Sequence, residues 1–278
     1  MEIKTKCRVC KSYNFTKWGS RNNSILYQCN HCELVFFYPY PTQEQLDDFY
    51  NNNNYHQDRG YSGQTEAGKL RQSMYDLDIE DLEKNIKQRG KFLDVGCAEG
   101  KFLSHLKSSE WERYGMDVSK TALEEAKKRT KNINYLNASI DTIPTDDCFF
   151  DVIHMRGVFE HLLYPDDVIN KLTAKLKING TLVLSNTPNI NSICARLYRG
   201  RFKLVLPDEH VNYFSTRTIE ELGKNNGLTI SKVSYPYFGS PYESFPLDLI
   251  KLFFNFLTSK ESPPFWGNIF TIYLKKEK

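Results

Sequence analysis

Two periods of hydrophobic and polar positions take turns along most of this chain. Phe92, Leu93 and Val95 form a short apolar run that stops at Gly96, the pattern of a strand covered on both faces. Further runs of strand type fall at residues 113–118, 134–138, 149–155, 181–185, 229–233 and 269–274. Helical spacing lies between them. Leu70, Met74, Leu77 and Leu82 share one side of a long helix expected to end at Gly90. Ala122, Leu123 and Ala126 share another, behind Ser119 as its N-cap. Pro165 opens a helix with Asp166 and Asp167 in its first turn, Val168, Leu172 and Leu176 as its buried stripe, and Lys175 and Lys177 in its last turn before Asn179-Gly180. Strands alternating with helices in this way predict a parallel sheet with right-handed crossovers.

Outside that core the pattern changes. Leu34–Tyr38 reads as a strand closed by Pro39 and Pro41, followed by a short helix at 43–50 and a polar loop, 51–54, that leads to Tyr55 and His56. The tyrosine-rich stretch before the long helix is read either as a lid or as core packing. Residues 187–214 carry no clear period and are expected to form an irregular loop before a helix starting at Ser215. Leu247–Leu257 reads as a helix with a polar stripe at Asp248, Lys251 and Asn255 and apolar faces elsewhere. It is too short to cross a bilayer, so packing onto the domain or a homodimer partner is expected ahead of lipid binding.

The 278 residues, 40% hydrophobic and 26% charged, suit one sizeable core and a small extra module. A net charge of +3 is too small to imply a nucleic-acid binder. There is no membrane-spanning run and no apolar signal core behind the N-terminal lysines, so the expected location is cytoplasmic. Seven cysteines in such a chain point to metal ligation before disulfides. Cys7-x-x-Cys10 and Cys29-x-x-Cys32, 18 residues apart, have the spacing of a four-thiolate structural zinc site closed to substrate. His31 is read as facing solvent, and Cys97, Cys148 and Cys194 as packing or loop residues. Residues 1–38 hold too few apolar side chains for a core of their own, which fits folding driven by metal. Their basic side chains are read as a solvated face.

The chemistry centres on Asp94-Val95-Gly96-Cys97-Ala98-Glu99-Gly100. A strand ending in a glycine turn and running into a helix offers N–H groups and a positive dipole end to an anion. A dinucleotide fingerprint needs small residues at its first, third and sixth positions, and here the sixth is Lys101. The small residues fall instead at 96, 98 and 100 behind an acid. This resembles motif I of the class I S-adenosylmethionine (SAM) methyltransferases, with Ala98 in place of the middle glycine. From about residue 90 onward the chain is similar to that family. The zinc-ribbon-like knuckles followed by Pro39-Tyr40-Pro41-Thr42 resemble members that methylate sugars, capsule or antigen components and secondary metabolites.

The resemblance implies a Rossmann-like seven-stranded sheet, mostly parallel with an antiparallel last strand. It implies SAM over Asp94, Gly96, Cys97, Ala98 and Gly100. The ribose falls on Asp117 with Val118 beside it, the adenine beside Ser139 and Ile140, and the methionine end along the backbone of Met155 and Arg156. Ser139 departs from the acid usual at its position. Glu160-His161 resembles the family's segment near the transferred methyl group. An imidazole titrates near neutrality and suits the work of the base; His210, in the Pro207–Phe214 run, is favoured over His161 because its loop lies where substrate must enter, and Glu160 and Glu209 are candidates to orient the two rings. Arg196, Arg199, Arg201 and Lys203 suit an anionic substrate group such as a diphosphate, or a plain solvated loop. The expected organisation is a zinc ribbon at 1–40, linker and lid helices at 41–90, and a SAM-dependent methyltransferase domain at 91–278. Small-molecule or glycan-precursor O-methylation is favoured. A nucleic-acid methyltransferase using the basic ribbon and a non-catalytic binding protein of the same fold are the alternatives.

Overall fold

The strand before the glycine turn is buried because it lies mid-sheet. The computed structural model describes residues 3, 5–52, 66–106 and 109–277, so Tyr55 and His56 of the expected lid lie outside the described residues. β4 (Lys91–Val95) is flanked in parallel by β5 (Glu112–Asp117) and β7 (Phe150–Arg156). β6 (Asn134–Asn137) extends the sheet beyond β5, and β8 (Leu176–Pro188) extends it beyond β7, again in parallel. β11 (Ile269–Lys276) then runs antiparallel to both β8 and β10 (Leu228–Ser234). The order β10-β11-β8-β7-β4-β5-β6 is the expected seven-stranded sheet with a reversed last strand.

Helices cover it. They are α2 (Glu66–Asn85), α3 (Lys101–His105), α4 (Lys120–Arg129), α5 (Pro165–Lys175) and α7 (Thr216–Asn225). Ser119 and Ser215 cap α4 and α7 as their hydroxyls predict, accepting from Ala122 N and Thr218 N. Two helix ends differ from expectation. α2 stops at Asn85; Gly90 serves instead to let the Asp151 carboxylate approach and take the Lys91 N–H at 2.8 Å. α5 stops at Lys175, and Lys177 and Asn179-Gly180 belong to β8, where Lys177 pairs with Asp151. Among the described residues no helix is long and apolar enough to cross a membrane.

The N-terminal segment forms an antiparallel sheet of β1 (Phe15–Arg21), β2 (Ser24–Cys29) and β3 (Val35–Tyr38), followed by α1 (Gln43–Asn52). A fourth strand, β9 (Asn212–Tyr213), joins it from far along the chain, pairing Val35 with Tyr213 and Phe36 with Asn212. Thr218 Oγ1 donates to the Cys32 carbonyl at 2.7 Å. Arg8 donates to the Leu163 carbonyl and stacks its guanidinium on Tyr40. The apolar partners that residues 1–38 lack are therefore supplied by the main domain. Residues 187–214 are correspondingly less irregular than their sequence suggests: Ser192 caps α6 (Ile193–Tyr198), which buries Cys194, Ala195 and Tyr198, and β9 follows.

α8 (Phe245–Leu257) also departs from expectation. Asp248 of the polar stripe is buried, accepting from Tyr237 Oη at 2.7 Å and Ser244 N at 3.2 Å. Leu252 is the other buried residue of the helix, and most of its leucine and phenylalanine side chains face outward.

Candidate functional site

The glycine turn is held by its own N–H groups. Gly96 N and Cys97 N donate to the Met116 carbonyl, and Gly100 N donates to the Cys97 carbonyl. Ala98 N donates to Asp117 Oδ2 at 2.8 Å. The expected anion receptacle is thus absent at these positions: the donors are satisfied internally, and α3 is a five-residue helix. A turn built this way suits a ligand without a phosphate. Gly96 and Gly100 have φ of +73° and +68°, and a side chain at Gly96 would run into Val158 Cγ2. Ala98 adopts φ of 46°, a left-handed conformation that disfavours any residue with a Cβ.

Asp117 links two parts of the site. Its second oxygen accepts from Ser119 N at 2.8 Å, at the start of α4. A carboxylate has about four acceptor positions, so two main-chain donors leave capacity for a ribose diol. Next to it Val118 is 74% exposed on the wall of an open cavity of about 1230 Å³. An exposed valine beside a carboxylate is a shelf for a flat ring. Ser139 and Ile140 line the same wall, with Ser139 Oγ capping a short 3-10 turn by accepting from Asp141 N. A volume above the ~300–1,000 Å³ of a single ligand pocket leaves room for a cofactor and an acceptor together.

Asp94, Gly96, Cys97, Ala98 and Arg156 also line this cavity. Met155 does not, being fully buried in the core, and Gly100 sits behind the turn against Tyr135. The Arg156 Nε donates to Asp78 Oδ2 at 2.7 Å, and its guanidinium lies on the Tyr75 ring. Asp94 is positioned by a chain that the motif did not reveal. His154 Nδ1 donates to Asp94 Oδ1 at 2.8 Å, and its Nε2 bonds Ser185 Oγ at 2.7 Å. All three are almost completely buried. The available signal was one polar residue inside the apolar run Val152-Ile153-His154-Met155.

The two histidines weighed as rival bases prove to be neighbours. Glu160 and His161 lie in a 3-10 turn after β7, and His210 precedes β9. The rings of His161 and His210 are 4.8 Å apart and nearly perpendicular. A ligand atom from each histidine and one from the Glu160 carboxylate lie within 4.8 Å of one another. His161 Nδ1 donates to the Glu209 carbonyl at 2.8 Å and His210 Nδ1 to the Leu204 carbonyl at 3.1 Å. The groups bonding each Nδ1 are main-chain carbonyls rather than the adjacent glutamate side chains. These bonds put the proton on Nδ1 and the basic lone pair on Nε2 of both rings. Glu160 is 2% exposed, and its Oε2 has no hydrogen-bond partner among the described residues. Burial pushes its carboxyl up to about 8, against a smaller opposing pull from Arg156.

Arg196, Arg199, Arg201 and Lys203 are not among the residues lining the cavity. Arg199 lies over Trp18, and Arg201 lies over Tyr198 and Phe256 beside α8. At the ribbon, the four sulfurs of Cys7, Cys10, Cys29 and Cys32 lie within 4.8 Å of one another. The Cys7–Cys32 and Cys10–Cys29 contacts are 3.5 and 3.4 Å, against an edge of about 3.8 Å for sulfurs 2.3 Å from a tetrahedral zinc. Hydrogen bonds from Cys32 and Cys7 hold the Cys29 thiol far below its ordinary range, while the bond to Cys29 pushes Cys7 up to about 12. The four-sulfur donor set at this spacing fits zinc.

Comparison with known proteins agrees with this geometry. The profile of a methyltransferase domain family matches residues 68–233. A ubiquinone biosynthesis O-methyltransferase, mitochondrial, of Schizosaccharomyces pombe is 32% identical over 112 residues, covering 37% of this chain and 40% of that protein. The chain thus spans about two fifths of the length of that curated relative. A 1,6-didemethyltoxoflavin-N1-methyltransferase of Burkholderia thailandensis, solved with its substrate and S-adenosylhomocysteine bound, superposes with a TM-score of 0.58 at 9% identity, covering 93% and 97% of the two chains. A SAM-dependent methyltransferase of Thermotoga maritima gives 0.57 at 17% identity, covering 84% of this chain and all of that one. The family match covers more than half of the sequence, and the sheet order and glycine turn are those of the fold, so the chain belongs to the methyltransferase domain family in its class I, SAM-dependent form.

Proposed function

We propose that this protein transfers the methyl group of SAM to a hydroxyl of a small molecule or glycan precursor. The observation that carries the reading is the placement of Glu160, His161 and His210 on the wall of the cavity that also holds the glycine turn and Asp117. The named activity of the curated relative, O-methylation in ubiquinone biosynthesis, supports an oxygen acceptor. Asp117 would hold the ribose, Val118, Ser139 and Ile140 the adenine, and Asp94 with the backbone of Arg156 and Gly157 the methionine end. When bound, the cofactor supplies a methyl group activated by its sulfonium.

The protein's own task is to align the acceptor and remove its proton. His210 is assigned as base. Its Nδ1–H is anchored on Leu204, so Nε2 can receive the hydroxyl proton and the anchored N–H stabilises the resulting cation. His161 adjoins it and is the second candidate. Glu160, protonated at neutral pH by its burial, supplies an O–H that can hydrogen-bond the acceptor oxygen without repelling the anion that forms there. Cys7, Cys10, Cys29 and Cys32 are assigned one structural zinc.

The ribbon's basic residues do not favour a nucleic-acid acceptor. Arg8 is engaged by Leu163 and Tyr40, Lys11 by Asp166 and Arg21 by Glu261. The test is mass spectrometry for a methyl gain on candidate phenols and nucleotide-linked sugars incubated with SAM. A positioned base contributes about 100- to 10,000-fold in rate, so His210→Ala should lower kcat within that range while SAM affinity holds. A loss under about threefold in a folded variant, small beside that range, removes His210 from the mechanism.

A further inference from the structure

α8 has its amphipathicity turned outward. Asp248 and Leu252 face the domain, while Leu257, Ile250 and Phe253 are 80%, 65% and 61% exposed, and Leu247, Leu249 and Phe254 are exposed beside them. Phe238, also exposed, extends the patch through its contact with Phe245. Soluble monomers rarely leave an apolar patch of this kind open to water unless it meets something.

Its rim is cationic. Lys251 projects from α8 itself, with its nearest carboxylate the buried Asp248 at 3.6 Å. Lys260 Nζ lies over the Phe254 ring, and the Arg201 guanidinium lies over Phe256 and donates to the Lys260 carbonyl. Arg196 is exposed on α6, the helix that packs against α8 through Tyr198. The nearby acids are engaged elsewhere: Glu261 pairs with Arg21, and Glu243 accepts from Gly239 N. Thus Arg196 and Arg201, which do not line the cavity, border an exposed apolar helix.

We propose that α8 and its basic rim dock this protein on an anionic phospholipid surface, the leucine and phenylalanine side chains entering the acyl boundary and the lysines and arginines meeting lipid phosphates. Leucine and phenylalanine on one face with lysine and arginine at the edge is the composition of an interfacial helix. Charge argues against a second copy of the chain as the occupant, because a self-complementary contact would set the cationic rim of Lys251, Lys260 and Arg201 against its own copy. The docked orientation also bears on the cavity. The segment from Arg201 on the rim reaches Leu204 and Leu206 on the cavity wall, so at most about 18 Å of chain separates the two.

The test is co-sedimentation of the full chain with vesicles of phosphatidylglycerol in phosphatidylcholine and with phosphatidylcholine alone. It needs no SAM, so its outcome is independent of the proposed reaction. The expected result is binding to the anionic vesicles, weakened by raising salt and at least about tenfold weaker to the neutral ones. Combined Ile250→Ser, Phe253→Ser and Leu257→Ser should lower binding more than about tenfold, with melting temperature and methyl transfer retained because these side chains face solvent. Lys251→Glu with Lys260→Glu should weaken it by a similar factor. Failure to bind anionic vesicles, equal binding by the serine variant, or equal binding to neutral vesicles overturns the proposal. So does a wild-type dimer in sedimentation velocity that the serine variant abolishes, which would assign the face to a second copy.

Discussion

Replacing Glu160 by glutamine tests the electrostatics of the proposed acceptor site through stability alone. In the native protein the carboxyl is 2% exposed, Oε2 has no partner among the described residues, and burial raises its pKa from 4.5 to about 8. In the unfolded chain it ionises near the ordinary value. Between those two values the native state holds a proton that the unfolded state has lost. Stability contributed by this group is therefore complete below about pH 4.5 and falls as pH rises to about 8. Each unit is worth roughly 1.4 kcal/mol, and the whole interval about 4 to 5 kcal/mol. Glu160→Gln has the same shape and no titration. Denaturant unfolding of both proteins at several pH values isolates the term, because other titrating groups cancel in the difference. From pH 5.5 to 8 the variant should gain about 3 kcal/mol relative to the wild type. A difference that stays flat across that range, or grows in the opposite direction, would show that Glu160 is ionised in the native state and refute its assignment as a hydrogen-bond donor.

Three further outcomes are expected. Asp117→Ala should weaken SAM binding by about 1–3 kcal/mol in calorimetry, and unchanged affinity would place the ribose elsewhere. Ala98→Gly should relieve the left-handed backbone at φ 46° and stabilise by up to about 1 kcal/mol, a rise of roughly 2–4 °C in Tm; a lower Tm contradicts the strain. Metal analysis should find about one zinc per chain, and chelation or Cys32→Ser should lower Tm and reduce methyl transfer more than SAM affinity, because β3 carries the strand that follows His210. Protein purified without chelator and free of zinc would sink that reading.

Much of the fold and half of the site were legible in the sequence because they depend on neighbours along the chain. The strand–turn–strand run from Lys91 to Asp117 and the serine caps of α4 and α7 are of this kind. So are the two Cys-x-x-Cys knuckles: periodicity, caps and knuckle spacing act over a few residues. Periodicity also shows which residues want burial, but not what will cover them, and there the tertiary structure decided. It joined β3 to β9, giving residues 1–38 the core they lack. It brought His161 and His210 together across 48 intervening residues and gave both rings main-chain anchors. It set His154, 60 residues from Asp94, behind the motif acid. It also consumed the N–H groups of the glycine turn, removing the anion site that a strand–glycine–helix pattern suggests. α8 shows the limit most plainly. Its sequence marks an apolar helix, but only packing determines which face turns inward, and the buried hydrogen bonds of Asp248 to Tyr237 and Ser244 fixed Asp248 and Leu252 against the domain and left most of the leucines and phenylalanines outside.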